Sequence, residues 1–162
     1  MSKINIFCFG FGQVAEGFIN KLIQEKKNFD LSITSRQETH QIELNNFKIT
    51  SYHFTDDKFD SSIDKKLKEA NYILISIPPI EGKDIVAKYF DKNLQGITNC
   101  KWITYLSATS VYGDHKGEWV NENSTTKPTS PSGSNRLAAE NTWKKLSNKH
   151  KYPLQIFRLA GI

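Results

Sequence analysis

The sequence predicts an α/β fold with a doubly wound parallel sheet of about six strands. Short apolar runs alternate with amphipathic segments along its 162 residues, which is the pattern of parallel strands joined by helices. A glycine-rich turn directly follows the first apolar run, as in doubly wound folds. A chain of this length can close one full-sized core and is too short for two ordinary domains, so we expect a single domain over residues 1–162.

The first strand is predicted at Ile4–Phe9, an almost unbroken apolar run typical of a strand buried on both faces. A helix over Val14–Ile23 follows, because apolar residues recur there every four positions. Apolar runs bounded by turn residues predict the other elements. They are strands at Phe29–Thr34, Phe47–Phe54, Tyr72–Ile77, Trp102–Leu106 and Leu154–Leu159, and helices at Asp84–Asp91 and Leu137–Leu146. The polar stretch Gly113–Asn135 is predicted to be a long loop.

The turn after the first strand has the features of a diphosphate-binding loop. Gly10 permits a sharp turn, Gly12 permits close approach of a phosphate, and Ala15 lets the helix pack closely on the strand. The unpaired N–H groups and the dipole of a helix N-terminus favour an anion there. A P-loop is excluded, because no Lys-Ser or Lys-Thr follows the glycines.

We therefore expect a dinucleotide to bind at this loop. The alternative is that the glycines only make a tight turn between strand and helix. The residues expected to hold the diphosphate are Gly10, Phe11, Gly12, Gln13 and Val14.

The segment Thr34-Ser35-Arg36 predicts which dinucleotide is bound. An Asp or Glu at the end of the second strand would bind the 2′-hydroxyl of NAD, whereas an Arg suits the 2′-phosphate of NADP. A planar guanidinium and small hydroxyls pair well with phosphate oxygens. We expect NADP rather than NAD, bound through Ser35 and Arg36; the alternative is that Arg36 is a solvated loop cation.

Two further strand ends are candidates for the rest of the cofactor. Asp56 follows the third strand and is placed to meet the adenine end. Ser76, Ile77 and Pro78 lie at the tip of the fourth strand, where they would flank the ribose. The alternative is that each of these four residues is an ordinary turn residue with no role in binding.

Charge and composition argue against several other classes. The formal net charge is +5, but the lysines are scattered among acidic residues without a basic stripe, so nucleic-acid binding is not expected. No apolar run approaches the roughly 20 residues of a membrane helix, and no cleavable leader precedes the first strand, so we expect a cytoplasmic protein. Four dispersed histidines and two cysteines without a CxxC spacing predict no metal site.

The run LSATSVYG at 106–113 resembles the fifth strand of extended short-chain dehydrogenases/reductases, the family of NAD-dependent epimerases and dehydratases. The later parts of that family's pattern follow in order: Glu122, Pro128, Ser130-Pro131, Arg136–Glu140 and Phe157–Ile162. With GFGQVA in place of the family's usual GxxGxxG loop, and with Ser76-Ile77-Pro78-Pro79 after the fourth strand, the chain resembles the atypical epimerase-like subgroup most. The 6-phosphogluconate-dehydrogenase type of NADP domain shares the loop and the Ser-Arg pair but lacks the VYG segment.

The resemblance implies a catalytic Ser or Thr on the fifth strand and a Tyr-x-x-x-Lys on the next helix. In that arrangement a nearby cation and the nicotinamide ribose lower the pKa of the tyrosine, which then acts as a base. The corresponding positions here are Ala108, Ser132 and Arg136. Serine has no accessible pKa and arginine stays protonated, so the usual chemistry of the family is not expected.

Neighbouring side chains could take over proton handling. Ser107, Thr109 and Tyr112 lie near the expected nicotinamide pocket. Tyr112 and Ser107 are the candidates for this role, with Arg136 as the cation. The alternative is that Ser107 satisfies local backbone groups and that Tyr112 packs under the loop.

Extended members of the family continue after the sixth strand into a C-terminal substrate lobe, whereas this sequence runs only to Ile162. We therefore expect the N-terminal Rossmann part only, as a truncated remnant, one half of a split gene or a free-standing module. Exposed apolar surface would favour a homodimer, or a second chain that supplies the missing lobe. A non-catalytic NAD(P)-binding protein is favoured. The alternative is an active NADP-dependent oxidoreductase or epimerase acting on a nucleotide-sugar or small carbonyl substrate, possibly completed by another chain.

Overall fold

The structure is a computed structural model and describes residues 3–160. Gly161 and Ile162, the last two residues of the predicted family pattern, lie outside this range. The strands are β1 Ile4–Phe9, β2 Phe29–Ser35, β3 His40–Leu44, β4 Phe47–His53, β5 Tyr72–Ile75, β6 Trp102–Ala108 and β7 Leu154–Leu159. The helices are α1 Gln13–Gln24, α2 Ser62–Glu69, α3 Ile85–Gln95 and α4 Pro131–His150, and a short 3₁₀ turn covers Thr109–Val111.

The strands form one sheet in the order β3-β4-β2-β1-β5-β6-β7. Every neighbouring pair is parallel except β3 and β4, which are antiparallel. Helix α1 packs on one face through Ala15 and Ile19, and α2, α3 and α4 cover the other face. The predicted doubly wound α/β fold is therefore confirmed.

Three elements differ from the prediction. The sheet has a seventh strand, β3, which forms a hairpin with β4 through Asn45 and Asn46, both with positive φ. Helix α2 was not predicted, because only Ile63 and Leu67 are buried in its short, charged sequence. Helix α4 begins at Pro131, inside the predicted loop, with the Ser130 hydroxyl accepting from the Gly133 N–H.

The arrangement of the central strands positions the candidate site. Strands β1, β2, β5 and β6 are parallel, so their carboxyl ends meet at one edge of the sheet. The strand order reverses at β1, because β2 lies on one side of it and β5 on the other, and α1 begins at this point of the edge. Within residues 3–160, no helix is long and apolar enough to cross a membrane.

Candidate functional site

A cavity of about 700 Å³ opens at the carboxyl ends of the central strands. The glycine loop and the N-terminus of α1 form one side of it, and the ends of β6 and β7 with the start of α4 form the other. Its lining residues are Gly12, Gln13, Val14, Ser76, Leu106, Ser107, Ala108, Thr109, Ser110, Gly113, Arg136, Leu159 and Ala160.

The two glycines of the loop differ in what they do. Gly10 has φ +80°, and a Cβ there would lie 3.0 Å from both Ile77 Cγ1 and Ser76 Oγ, so its conformation and its packing both require glycine. Gly12 is the N-cap of α1 at φ −87°, and a Cβ there would meet no atom of the described residues within 4 Å. A side chain at Gly12 would therefore project into open space at the cavity, not into the protein.

The N-terminus of α1 opens onto this space with its donors available. The Glu16 N–H makes the first intrahelical bond, to Gly12 O at 3.0 Å, so the N–H groups before it have no acceptor within the helix. Gly12 has no side chain that could cap them. Gln13 and Val14 line the cavity, whereas Phe11 is half-buried and packs against the apolar cluster under α1. The geometry suits an anion at the helix terminus.

Thr34, which the sequence analysis gave as one of the small hydroxyls before Arg36, has a positioning role that was not predicted. The Gly10 N–H donates to Thr34 Oγ1 at 2.9 Å, and Thr34 is buried. This bond ties the end of β2 to the glycine loop. A polar residue next to the predicted Ser35 and Arg36 was its only signal in the sequence.

Ser35 and Arg36 lie side by side at the end of β2. Ser35 Oγ accepts from Ser51 Oγ at 2.9 Å and from the Gln37 N–H at 3.3 Å. Arg36 is exposed, and no ion pair forms to it within the described range. Its guanidinium is thus available to an outside anion.

The other predicted cofactor residues are spread around the loop. Asp56 is exposed and forms an ion pair with Lys88, with Asp56 Oδ1 2.7 Å from Nζ, and the hydrogen bond from Lys88 holds the pKa of Asp56 below its usual value. Ser76 lines the cavity. Ile77 faces Gly10 instead, and Pro78 is exposed outside the lining.

Ser107 lies on the cavity floor at the end of β6 and is bonded to a buried carboxylate. Its hydroxyl donates to Glu140 Oε1 at 2.7 Å, and Arg158 donates to both oxygens of Glu140. Burial raises the pKa of Glu140, but the hydrogen bonds from Arg158 and Ser107 outweigh it, so the pKa lies below its usual 4.5. Glu140 was quoted as part of the family pattern but not as a site residue.

The positions that correspond to the family's catalytic groups are only partly brought together. Ala108 and Arg136 line the cavity, and Arg136 Nη1 donates to Leu106 O at 2.5 Å. Ser132 is exposed on the first turn of α4, outside the lining. Tyr112 is buried beside the cavity, with the guanidinium carbon of Arg158 4.8 Å from its ring centre.

The lining residues limit the chemistry that the cavity can perform. In the described part of the chain, their polar side chains are one amide, four hydroxyls and one guanidinium: Gln13, Ser76, Ser107, Thr109, Ser110 and Arg136. The lining can therefore donate and accept hydrogen bonds and hold an anion. None of the described side chains of the lining is a carboxylate, an imidazole or a thiol. Nor do residues 3–160 bring three or more His, Cys, Asp or Glu together to hold a metal ion.

No protein-family model and no curated protein sequence matches the chain, but solved structures do. A conserved protein of unknown function from Silicibacter pomeroyi is 27% identical with a TM-score of 0.77, over 98% of this chain and 54% of that one. UDP-glucuronic acid 4-epimerase from Bacillus cereus, solved with NAD, is 16% identical with a TM-score of 0.75, over 97% and 56%. UDP-N-acetylglucosamine 4-epimerase from Methanobrevibacter ruminantium is 17% identical with a TM-score of 0.75, over 98% and 55%.

The chain spans about half the length of these solved structures. The identity to the epimerases is low, so the likeness to them is one of fold. The predicted resemblance to the epimerase/dehydratase family is confirmed at that level. The chain thus has the Rossmann-type fold of these UDP-sugar 4-epimerases, over about half of their length.

Proposed function

We propose that this chain binds a nicotinamide dinucleotide, NADP in preference to NAD, and that its catalytic positions are degenerate. One observation carries the proposal. The N–H groups in the first turn of α1 have no side-chain cap and open onto a cavity of about 700 Å³, and the N-cap residue, Gly12, has no Cβ to block the approach of a ligand. A diphosphate is the ligand that suits such a helix terminus. The fold of the matched NAD-bound epimerase supports the same assignment.

Different residues are expected to bind different parts of the cofactor. The backbone at Gly12, Gln13 and Val14 binds the diphosphate, and Gly10 gives the loop its shape. Ser35 and Arg36 bind the 2′-phosphate of NADP, since a guanidinium and a hydroxyl both donate to phosphate oxygens. The bound cofactor would bring the capacity for hydride transfer, and the protein groups named here would bind and orient it.

The residues at the three catalytic positions support a degenerate catalytic site. Ala108 carries no hydroxyl, and Ser132 lies outside the lining. Arg136 stands where the family has a lysine, and its guanidinium already donates to Leu106 O. These three positions can help to bind a ribose or an anion, but they cannot pass a proton to a substrate.

Calorimetric titration with NADPH and NADH tests the binding, using the wild-type chain and Arg36→Ala. The expected result is tighter binding of NADPH than of NADH, and a loss of that preference in Arg36→Ala. Lys26→Ala, which removes an exposed cation just beyond the C-terminal end of α1, should leave both affinities unchanged. Absence of binding to either nucleotide at millimolar concentration would refute the proposed function.

A second candidate is an active NADP-dependent epimerase or oxidoreductase, completed by a second copy or another chain. The observation that favours it is the hydrogen bond from Ser107, on the cavity floor, to Glu140. In this candidate Ser107 and Tyr112 handle the proton, and Arg136 holds the substrate or cofactor. Turnover of a UDP-sugar or small carbonyl compound by the pure protein, reduced in Tyr112→Phe, would support it. The degenerate site predicts no turnover, and either version is expected in the cytoplasm.

A further inference from the structure

The end of β2 lies directly beside the glycine loop. The N–H of Gly10 donates to Thr34 Oγ1 at 2.9 Å, so the residues that follow Thr34 stand at the edge of the proposed diphosphate site. These residues are Ser35 and the exposed Arg36. A substituent on the adenosine ribose of a bound dinucleotide would meet these two side chains.

The Ser35 hydroxyl already accepts two hydrogen bonds from within the protein. Ser51 Oγ donates to it at 2.9 Å, and the Gln37 N–H donates to it at 3.3 Å. A serine hydroxyl has two acceptor lone pairs and one proton. With both lone pairs engaged, Ser35 has only its proton to offer, so it meets a ligand as a donor.

Ser51 is well placed to maintain this arrangement. It is 1% exposed and lies on β4, opposite Ile33 of β2, so water does not compete for its hydroxyl. A chain of donors that runs from Ser51 through Ser35 to a ligand oxygen strengthens each bond in the chain. Removing Ser51 would free a lone pair of Ser35 and let its proton turn away from the ligand.

Such a donor beside a guanidinium selects for one kind of substituent. A phosphate offers several strong acceptor oxygens and nearly two negative charges. A ribose hydroxyl is a neutral and weaker acceptor, and an acidic residue at this position would be needed to exploit its proton. The arrangement therefore favours the phosphorylated ribose.

We infer that Ser51 is a positioning residue that sets the specificity for the 2′-phosphate of NADP, by holding the Ser35 hydroxyl as a donor. This inference rests on the proposed function and says how its cofactor preference arises. Ser51 itself touches no ligand and acts only through Ser35.

Titration of Ser51→Ala with NADPH and NADH tests the inference. The affinity for NADPH should fall about three- to tenfold, the usual value of one hydrogen bond, and the affinity for NADH should stay the same. The affinity of Ser51→Ala for adenosine 2′,5′-bisphosphate should fall by the same factor, and its affinity for adenosine 5′-monophosphate should not change. The two probes differ only in the 2′-phosphate. In a Ser35→Ala background, Ser51→Ala should cause no further loss.

Ser32→Ala is the matched control, since it removes a hydroxyl from β2 on the opposite face of the sheet, where Ser32 pairs in register with Phe7 and Thr50. Ser32→Ala should leave the ratio of the affinities for NADPH and NADH unchanged. Equal losses of both nucleotides in Ser51→Ala, or a full loss in the Ser35→Ala background, would overturn the inference alone. A wild type that binds both nucleotides without preference for NADPH would overturn the inference together with the proposed NADP preference, and would leave dinucleotide binding standing. A wild type that binds neither nucleotide would overturn the proposed function, and the inference with it.

Discussion

Arg158 and Glu140 form a two-point ion pair beneath the cavity. Arg158 Nε lies 3.0 Å from Oε1 of Glu140, and Nη2 lies 2.8 Å from Oε2. The Glu140 side chain has no exposed surface, and Ser107 donates a third hydrogen bond to it. The pair joins the edge strand β7 to α4 and to the end of β6, and it thereby supports the cavity floor.

Removal of Arg158 should destabilise the fold strongly. Arg158→Ala leaves the buried carboxylate of Glu140 without its main partner, and such a loss costs about 3–5 kcal/mol. The free energy of unfolding in urea, compared with that of the wild type, measures the effect. The control is Lys144→Ala, because Lys144 is half-exposed at 3.4 Å from the same carboxylate and should cost about 1 kcal/mol or less. Equal effects of the two variants would contradict the account.

Glu140 should also make the free energy of unfolding depend on pH in the acidic range. Its pKa is lower in the folded chain than its usual 4.5, so the unfolded chain binds the proton more readily. The stabilisation is present above about pH 4.5 and is lost as the pH falls through the folded-state value. Urea unfolding followed from about pH 6 to pH 3 should show a shallower acid loss in Glu140→Gln than in the wild type. A slope that is unchanged by the substitution would show that Glu140 is not a source of the acid dependence.

Gly10→Ala and Gly17→Ala should change the free energy of unfolding in opposite directions. Gly10→Ala places a Cβ 3.0 Å from Ser76 and Ile77 at a φ of +80°, which should cost about 1–3 kcal/mol of unfolding free energy. Gly17 lies inside α1, where a Cβ meets no described atom within 4 Å, so Gly17→Ala should stabilise by up to about 1 kcal/mol. Thermal unfolding distinguishes the two, and a neutral Gly10→Ala would contradict the loop geometry.

Substitution of Asp84 should also lower the free energy of unfolding strongly. Its carboxylate accepts from the N–H groups of Val86 and Ala87 at the start of α3 and from Trp143 Nε1 at 2.9 Å. Asp84→Ala removes the cap and leaves a buried indole N–H unpaired, which together should cost about 2–4 kcal/mol. Ser130→Ala, which removes only a cap of α4, should cost about 1 kcal/mol in the same urea experiment. A smaller loss in Asp84→Ala than in Ser130→Ala would refute this ranking.

The sequence predicts most of the sheet because its parallel strands are buried and read as apolar runs. Both ends of the predicted Ile4–Phe9 and Leu154–Leu159 agree with β1 and β7. Strand β3 was missed because His40–Leu44 contains only two apolar residues, Ile42 and Leu44, and so forms no apolar run. The Asn45-Asn46 turn was an available signal, since paired positive-φ residues suit a tight hairpin. Ser130-Pro131 was another, as a capping residue and a proline at the first helical position.

The candidate site was predictable only where a local pattern carries the chemistry. The glycine loop is such a pattern, because turn, close approach and helix start lie within consecutive residues. The contacts of Ser51 with Ser35 and of Glu140 with Ser107 join residues 16 and 33 positions apart. Pairs of that kind depend on strand register and helix packing, which a reading of local periodicity does not provide.

The central claim is that the N-terminus of α1 binds the diphosphate of the cofactor at Gly12. Calorimetric titration of Gly12→Asp with NADPH tests it most directly, because aspartate is a good N-cap that keeps the helix stable and fills the site with negative charge. We expect one-to-one binding by the wild type and a loss of at least about tenfold in the variant, with the melting temperature maintained. Equal affinity of the two proteins for NADPH would contradict the claim.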